Sequence, residues 1–377
     1  MKNEIVFWFN IPPKVEKGAF NYLSQKWENK VYYVINNDLA SYRKKNGWDD
    51  NDFGNAIVIK LWEKQDKENE IKRICQEHAD AIHILNGFTN EIQLYARKYL
   101  FELKAKIGAY TERPNYIGNN IELLIRNVFF HFRYRYLAYL YKKHIDFVLP
   151  LGKKGVEAFA KYGWEKEKLY PFMYNPNIPV ALSPSYRPSI RPVRFVYVGR
   201  FYYKTKGVDT LMKACDKLSG EWSIDFVGGY GAQREKVLKW IQATPQARFI
   251  GNWDAKDVVE KLNQYDLVVV PSKYDGWNLL INESIYASVG VIVSDEATSD
   301  EVIKESQSGT IFKAKSSDSL AEVMQSVIDN PSIINEWKNK AHMFQNQISS
   351  PVVGEYLINI LNYVYYGGEY PECPWTK

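Results

Sequence analysis

The sequence has few of the features that mark secreted, metal-binding or membrane-spanning proteins. Its three cysteines, Cys75, Cys215 and Cys373, have neither the number nor the spacing of a disulfide framework or a zinc site. No run of about 18 apolar residues occurs, so no membrane-spanning helix is expected. A signal peptide needs a longer apolar stretch than residues 5–9 and no acid as early as Glu4, so none is expected either. The net charge of +5 is a small excess for a nucleic-acid binder. We therefore expect a cytoplasmic protein that binds no nucleic acid.

Short apolar runs alternate with helical patterns along the whole chain. The predicted strands cover residues 4–9, 30–35, 56–59, 81–85, 106–110, 147–149, 193–198, 223–227, 247–250, 267–270 and 291–293. Predicted helices separate most of them, for example residues 67–77, 91–103, 207–218 and 278–288. Strands that alternate with helices are typical of a parallel sheet covered on both faces. The predicted fold class is therefore α/β.

Prolines interrupt this alternation near the middle of the chain, between residues 175 and 192. Each proline removes a backbone donor and favours extended structure before it, so this segment is predicted to be a linker. We predict two Rossmann-like domains, residues 1–185 and 186–350, and a tail of residues 351–377 whose helix packs back onto the first domain. Two such halves would leave a cleft at the carboxyl ends of their strands, where open α/β sheets bind ligands.

Two cations follow the first predicted strand of the second half. Gly199-Arg200 ends that strand, and Lys206-Gly207 precedes the next helix. The side chains of Arg200 and Lys206 are expected to converge with a helix N-terminus, whose partial positive charge attracts anions, and a pyrophosphate needs such a combination. The glycine cluster at residues 228–231 either lets the backbone approach a ligand or forms a plain tight turn.

The most informative segment covers residues 271–284. Its two acids, Asp275 and Glu283, are eight residues apart, and the glycine after Asp275 predicts a turn ahead of a helix that begins at Asn278. The backbone N–H groups of residues 277–280 would then lack helical partners and could bind phosphate oxygens. Glu283 would accept hydrogen bonds from vicinal hydroxyl groups.

From about residue 193 to residue 331, the order Gly-Arg, Lys-Gly, glycine-rich turn, Phe-x-Gly, Pro-Ser and acid-x7-Glu resembles the retaining glycosyltransferases of the two-Rossmann-domain GT-B fold. It is similar to their family-4 group, glycosyl transferases group 1. The resemblance implies that Arg200 and Lys206 bind the donor diphosphate, that Asp275 lies near the donor sugar and that Glu283 holds the ribose. Further implied donor contacts are Gly18, Gly199, Gly229, Trp253, Gly276, Trp277, Asn278 and Leu279. Most relatives have Glu where this chain has Asp275, and Gly-Phe-Gly where it has Gly276-Trp277-Asn278.

The resemblance also implies a mechanism that keeps the anomeric configuration and uses no metal and no cofactor besides the nucleotide sugar. Charge on the departing diphosphate would be stabilised by cations and a helix N-terminus. A second acidic group, Asp50-Asn51-Asp52, superficially resembles the metal-binding pair of another glycosyltransferase fold, but it is predicted to be a solvated turn.

The first half offers three weaker candidates. Gly18 follows the first strand, either in a loop over the donor phosphates or at an ordinary helix start. Glu112 follows the strand at residues 106–110, where many relatives have a histidine that contacts the sugar, and it either orients sugar or acceptor or pairs with Arg113. His83 is predicted to end a strand, facing a ligand or serving as a structural histidine.

Residues 121–144 form a predicted helix rich in both cations and aromatic side chains. Such a helix either lies at an anionic membrane surface, where a lipid-linked acceptor would be found, or packs on the sheet with an exposed basic edge.

The predicted function is transfer of a sugar from a nucleoside diphosphate sugar to a glycan or lipid-linked acceptor, in bacterial surface polysaccharide synthesis at the inner face of the cell membrane. Two alternatives remain open: a nucleotide-sugar epimerase or hydrolase on the same fold, and a non-catalytic glycan-binding partner of another transferase.

Overall fold

The chain divides into two units, each built on a sheet of six parallel strands. A computed structural model describes residues 2–40, 52–114, 120–178, 181–187 and 191–376, without the side chains of residues 120–124, 126 and 127. The first unit comprises Met1–Pro114, Leu124–Asn177 and Ser349–Pro374, and the second comprises Asn115–Leu123, Ile178–Ile348 and Trp375–Lys377.

Six parallel strands form the sheet of the first unit. In chain order they are β1 (Ile5–Phe9), β2 (Val31–Ile35), β3 (Ile57–Lys60), β4 (Ile82–Asn86), β5 (Lys106–Thr111) and β6 (Phe147–Pro150). Their spatial order is β3-β2-β1-β4-β5-β6. All five residues of β1 are buried, because helices cover both faces of a parallel sheet. The strand order reverses between β1 and β4, and doubly wound sheets bind ligands beyond the carboxyl ends of the strands at such a point.

The helices that precede the second sheet are α1 (Lys17–Lys26), α2 (Lys67–Glu77), α3 (Glu91–Glu102), α4 (Asn120–Tyr141) and α5 (Gly152–Lys161). Helix α2 begins where predicted because the side chain of Asp66 accepts a hydrogen bond from the N–H of Asn69, the usual N-cap arrangement.

The second unit repeats the same architecture. Its strands are β7 (Val193–Gly199), β8 (Trp222–Gly228), β9 (Ala247–Gly251), β10 (Leu267–Val270), β11 (Gly290–Ser294) and β12 (Gly309–Phe312), in the spatial order β12-β11-β10-β7-β8-β9. Its helices are α6 (Tyr203–Lys206), α7 (Val208–Cys215), α8 (Arg234–Ala243), α9 (Val258–Leu262), α10 (Leu279–Tyr286), α11 (Asp300–Ser306), α12 (Ser317–Asp329) and α13 (Ile333–Phe344). Here the strand order reverses between β7 and β10.

The last helix, α14 (Ser350–Tyr366), belongs to the first unit and packs on α1. Gly354 allows this close approach, because a Cβ atom at that position would lie 2.5 Å from the ring of Tyr22. The hydroxyl of Tyr22 also donates to Glu355, at 3.4 Å.

The structure confirms the α/β class, and each predicted strand is present within one or two residues of its predicted ends. Strand β12 was not predicted, because only two of its four residues are strongly apolar and it lies half-exposed at the sheet edge. The helix predicted over residues 207–218 is shorter than expected. It begins at Val208 because Gly207, with φ +64°, separates it from α6.

Candidate functional site

An ion pair links the two strands at which the second sheet reverses its order. Lys206 ends α6, shortly after β7, and Asp275 follows β10. The Nζ atom of Lys206 lies 2.6 Å from Oδ2 of Asp275. The same oxygen accepts hydrogen bonds from Ser272 Oγ at 3.2 Å and from Asn278 Nδ2 at 3.0 Å. The carboxylate is therefore held in one orientation by three donors, at the place where this fold type binds ligands.

Backbone contacts bring these two segments together. Gly207 follows Lys206, and a Cβ atom there would lie 1.8 Å from the carbonyl oxygen of Pro271. The backbone N–H of Lys273 donates to the carbonyl of Thr205 at 2.8 Å. Glycine is required at position 207 both by this approach and by its positive φ.

The N-terminus of α10 points into the same region. Asn278 is its N-cap, and its Oδ1 atom accepts from the N–H of Leu280 at 3.1 Å. The N–H of Asn278 donates to Ser299 Oγ at 3.1 Å. Within the described ranges, the N–H groups of Gly276, Trp277 and Leu279 have no protein acceptor. The expectation of free N–H groups at residues 277–280 is thus wrong for Asn278 and Leu280, because capping and the Ser299 hydroxyl use them.

The structure also shows the surroundings of Glu283, on α10, and of Trp277, just before it. Glu283 lies half-buried on α10, between buried neighbours. The indole of Trp277 is buried and donates from Nε1 to Asn282 Oδ1 at 2.9 Å. The extra bulk of Trp277, compared with the phenylalanine of relatives, is therefore accommodated inside the second unit.

The other predicted donor residues of the second unit lie along the same edge. Arg200 is exposed, and its guanidinium lies 5.3 Å from the centre of the Tyr202 ring. In the part of the chain that the structure describes, Arg200 has no ion pair. Gly199 ends β7, and Gly229, with φ +100°, turns the chain after β8. Trp253 follows β9, two strands from β7 and thus about 10 Å across the sheet, and packs 6.0 Å from Tyr265.

A second group of polar side chains lies at the carboxyl edge of the first unit's sheet. Glu112 directly follows β5, is exposed, and accepts a hydrogen bond from the Tyr174 hydroxyl at 2.5 Å. Tyr110, near the end of β5, donates to Glu16 at 3.2 Å, and Asn86, at the end of β4, donates to Glu16 at 3.5 Å. Sequence reasoning found Glu112 and missed the other members. Only Asn86 and Tyr110 lie at strand ends, so nothing in the sequence pointed to Glu16 and Tyr174.

Glu16 is a titratable group of this unit with a raised pKa. It is buried, and burial raises the pKa of its carboxyl group from 4.5 to about 7, against the lowering effect of its hydrogen bonds. The negative charge of Glu112 contributes further to the increase. A carboxyl group with this pKa exchanges a proton near neutral pH.

The structure gives Gly18 and His83 structural surroundings. Gly18 lies in the first turn of α1, its N–H donates to the carbonyl of Asn175 at 2.8 Å, and a Cβ atom would meet Ser350. This favours the ordinary helix start. The prediction that His83 ends a strand is wrong: it lies inside β4. Its Nδ1 accepts from Trp8 at 3.1 Å and its Nε2 contacts the carbonyl of His78 at 3.0 Å. Burial lowers its pKa to about 4, so the ring is neutral.

The acidic group at residues 50–52 lies mostly outside the described residues. Only Asp52 is described, and its carboxylate lies 3.6 Å from the ammonium group of Lys17. Among the described residues, no cluster of His, Cys, Asp and Glu side chains is arranged to hold a metal ion. Cys75 and Cys215 are buried, and all three cysteines are free thiols.

Residues 187–344 match the family described as glycosyl transferases group 1. This match covers the segment that carries Lys206, Asp275 and Glu283, and it confirms the resemblance predicted from the sequence. A glycogen synthase of Mycobacterium tuberculosis is 27% identical over 153 residues, which are 38% of this chain and 36% of that protein. The chain therefore matches only about a third of the length of this curated relative.

The fold of the whole chain is similar to that of solved GT-B proteins. The structure of Anabaena Alr3699/HepE in complex with UDP and glucose has a TM-score of 0.71, at 12% identity, over 95% of this chain and 99% of that one. The apo form of the lipopolysaccharide outer core galactosyltransferase WaaB has a TM-score of 0.68, at 15% identity, over 96% and 99%.

Proposed function

We propose that this chain, whose residues 187–344 match the group 1 glycosyl transferases, moves a sugar from a nucleoside diphosphate sugar to a glycan or lipid-linked acceptor. The observation that carries the proposal is the arrangement at the β7–β10 switch point. A lysine fixed by Asp275 lies close to the start of α10, where the N–H groups of Gly276, Trp277 and Leu279 have no acceptor among the described residues. Both attract an anion, and a diphosphate offers enough oxygens to bind them together.

Lys206 can bind phosphate without leaving Asp275, because an ammonium group has three N–H donors. Arg200, exposed on the adjacent turn, adds a second cation that no side chain among the described residues neutralises. The N-terminus of α10 adds its partial positive charge. These groups would stabilise the diphosphate most strongly as it departs, so the proposed catalysis is electrostatic and needs neither a metal ion nor another cofactor.

In the proposed reaction, the bond between the anomeric carbon and the β-phosphate oxygen breaks and the bonding electrons leave with the diphosphate. An acceptor hydroxyl oxygen attacks the anomeric carbon from the same face, and its proton passes to the departing phosphate oxygen. The configuration at the anomeric carbon is retained. This is the reaction of the family-4 group, to which we assign the chain on its motif order.

We also propose which part of the substrates each of the other site residues contacts. Glu283 on α10 accepts hydrogen bonds from the ribose hydroxyls, and Asp275 orients the donor sugar. Trp253, about two strands away, lies beside the base, and Glu112 of the first unit binds a sugar hydroxyl. UDP and glucose are the ligands of the Anabaena structure, so uridine nucleotides are the first donors to test.

We place the reaction in bacterial surface polysaccharide synthesis at the inner face of the cell membrane. The likeness to a lipopolysaccharide galactosyltransferase supports this assignment. None of the described helices has the length and apolar character that a bilayer span requires.

Helix α4 supports a peripheral contact with the membrane instead. Six large apolar side chains, each 54–73% exposed, follow a single stripe along it: Ile125, Val128, Phe129, Phe132, Tyr136 and Tyr139. At about 100° per residue, the exposed Arg133 and Arg135 lie about 80° to either side of the stripe's centre. An apolar ridge flanked by cations matches the boundary between acyl chains and anionic headgroups. This contact would bring the enzyme to a lipid-linked acceptor.

Calorimetric titration with UDP, GDP and ADP and their common sugar conjugates tests the proposed function. We expect the protein to bind one nucleotide and its sugar conjugates. When a glycan or lipid-linked acceptor is added to the bound nucleotide sugar, we expect release of the free nucleoside diphosphate. Glu283→Gln should weaken binding at least tenfold, whereas Glu336→Gln, which removes a surface partner of Lys340, should leave it unchanged. No binding at millimolar nucleotide would overturn the proposal, and turnover without an acceptor would show a hydrolase or epimerase.

A further inference from the structure

A buried tryptophan from the irregular segment after α14 belongs to the second unit. Residues 367–376 contain neither helix nor strand, and Trp375, in this segment, is part of the second unit. Its side chain is 1% exposed, and its Nε1 atom donates to Oε1 of Glu301 at 3.1 Å. Glu301 is also buried, in the first turn of α11. Such a bond is costly to lose, because a buried carboxylate oxygen left without its donor cannot bond to water instead.

The loop that leads into α11 is bonded to the turn that carries Asp275. We call residues 295–299 the β11 loop and residues 275–278 the Asp275 turn. The N–H of Asp275 donates to the carbonyl of Glu296 at 3.3 Å. Thr298 donates twice to the carbonyl of Asp275, from its N–H at 3.1 Å and from its hydroxyl at 3.0 Å. The β11 loop therefore holds the backbone of Asp275 on both sides.

A further contact joins the end of the β11 loop to the start of α10. The N–H of Asn278 donates to the Ser299 hydroxyl at 3.1 Å. Ser299 is also the N-cap residue of α11, two positions before Glu301, and it is buried. Because closely packed residues cannot move independently, a shift of the first turn of α11 would move the Ser299 hydroxyl with it.

We propose that Trp375 is a positioning residue. By holding Glu301 it fixes the first turn of α11, and through the β11 loop it fixes the Asp275 turn. In this role Trp375 does not touch a substrate. The proposal rests on the proposed function, because the Asp275 turn affects catalysis only if the diphosphate binds beside it.

The groups proposed to bind the diphosphate depend on the position of the Asp275 turn. The carboxylate of Asp275 holds Lys206, and the N–H groups of Gly276 and Trp277 have no acceptor among the described residues. Displacing such groups by about 1 Å can cost on the order of 10²-fold in rate. Loss of one hydrogen bond at the far end of the β11 loop should displace them by less, so we expect a loss of about tenfold.

Trp375→Phe tests the proposal, because it keeps most of the ring and removes the N–H donor. With the nucleotide sugar selected by the titration above, kcat should fall about tenfold and the KM for that donor should change less than threefold. The two constants separate because the displaced groups act mainly on the departing diphosphate.

Trp240→Phe is the matched control in the same unit. The Nε1 atom of Trp240, on α8, donates to Oδ1 of Asp216 at 2.9 Å, so this variant also removes a hydrogen bond between an indole and a carboxylate. It should leave kcat within twofold of the wild type. Equal losses of kcat in the two variants would overturn the proposal, because they would show only a general effect of losing such a bond.

Substitutions of Glu301 test the same hydrogen bond from its other end. Glu301→Gln keeps an oxygen that can accept from the indole N–H, and its kcat should stay within threefold of the wild type. Glu301→Met removes the acceptor and should reproduce the loss of Trp375→Phe. The two losses should not multiply in the double variant, because both substitutions remove one bond. Multiplied losses would overturn the proposal.

Hydrogen exchange tests the coupling even if no transfer is found. In the ligand-free protein, Trp375→Phe should speed exchange of the N–H groups of Asp275, Asn278 and Thr298 about five- to tenfold, and Trp240→Phe should not. Faster exchange confined to α11 would overturn the proposal. Faster exchange in the Asp275 turn of a protein that binds no nucleotide would support the coupling and count against the proposed function only.

Discussion

The ammonium group of Lys206 lies 2.6 Å from the carboxylate of Asp275, across the point where the second sheet reverses its strand order. The two residues are 69 positions apart in the chain, and Gly207 against Pro271 brings their segments together. This pair therefore fixes a cation at the carboxyl edge of the sheet before any ligand binds. A preorganised charge of this kind costs little reorganisation when the diphosphate departs.

Lys206→Ala is expected to lower kcat/KM about 10²- to 10³-fold, because one preorganised donor to the leaving group is lost. It should also leave the Asp275 carboxylate near the site without its cation, so nucleotide binding weakens as well. Steady-state kinetics and calorimetry measure the two effects.

Lys273 provides the matched control for this variant. Its Nζ atom lies 2.6 Å from Asp209 in the same unit, with a similar exposed fraction. Lys273→Ala removes an equivalent ion pair and should change stability by a similar amount, yet change kcat/KM by less than threefold. Equal losses of activity in the two variants would contradict a specific role for Lys206.

The sequence predicted those features of the site that depend only on residues close together in the chain. The Asn278 cap and the turn after Asp275 follow from short-range rules on helix ends and turns. Gly207, by contrast, was predicted to be the first residue of a helix, and the structure places it between two helices with a positive φ. The pairing of Lys206 with Asp275 depends on which strands are neighbours, and periodicity does not determine that order. Glu16 and Tyr174 were missed for the same reason, since they are 158 residues apart in sequence number and come near each other only in the folded first unit.

Gly207→Ala is expected to destabilise the second unit by more than about 3 kcal/mol, because a Cβ atom would lie 1.8 Å from a backbone oxygen that cannot move aside. Gly367→Ala is the control: Gly367 has a similar φ of +72° and no atom within 4 Å. In Gly367→Ala the only cost is that of placing alanine in a left-handed backbone conformation, about 1 kcal/mol. Urea midpoints followed by tryptophan fluorescence compare the two, and equal shifts would contradict the close contact.

His83→Gln is expected to make the protein less sensitive to acid. Burial lowers the pKa of His83 from 6.5 to about 4, so the unfolded chain binds its proton first as pH falls. The folded state therefore loses up to about 3 kcal/mol between pH 6.5 and pH 4, and the glutamine variant does not. Glu16, with a raised pKa, changes stability in the opposite sense between pH 4.5 and 7. The quantity to measure is thus the difference in unfolding free energy between variant and wild type at each pH.

Sedimentation with lipid vesicles tests the exposed stripe of α4. The wild type should bind vesicles that contain about a third anionic lipid more strongly than neutral ones, because each arginine near an anionic surface contributes about 1 kcal/mol. Arg133→Gln with Arg135→Gln should remove most of this preference. Phe129→Ser with Phe132→Ser should weaken binding to both kinds of vesicle at least tenfold, because the apolar anchors are lost.

Met343→Ser is the control for general surface hydrophobicity, since Met343 is as exposed as the stripe residues but lies on α13. It should bind vesicles like the wild type. An equal loss of vesicle binding in this variant would show non-specific adsorption. If the stripe instead covers a second copy of the chain, the wild type should form concentration-dependent dimers that Phe129→Ser with Phe132→Ser abolishes. Only retention on anionic vesicles with loss in both α4 variants supports the membrane contact, because that pattern needs the apolar ridge and its flanking cations together.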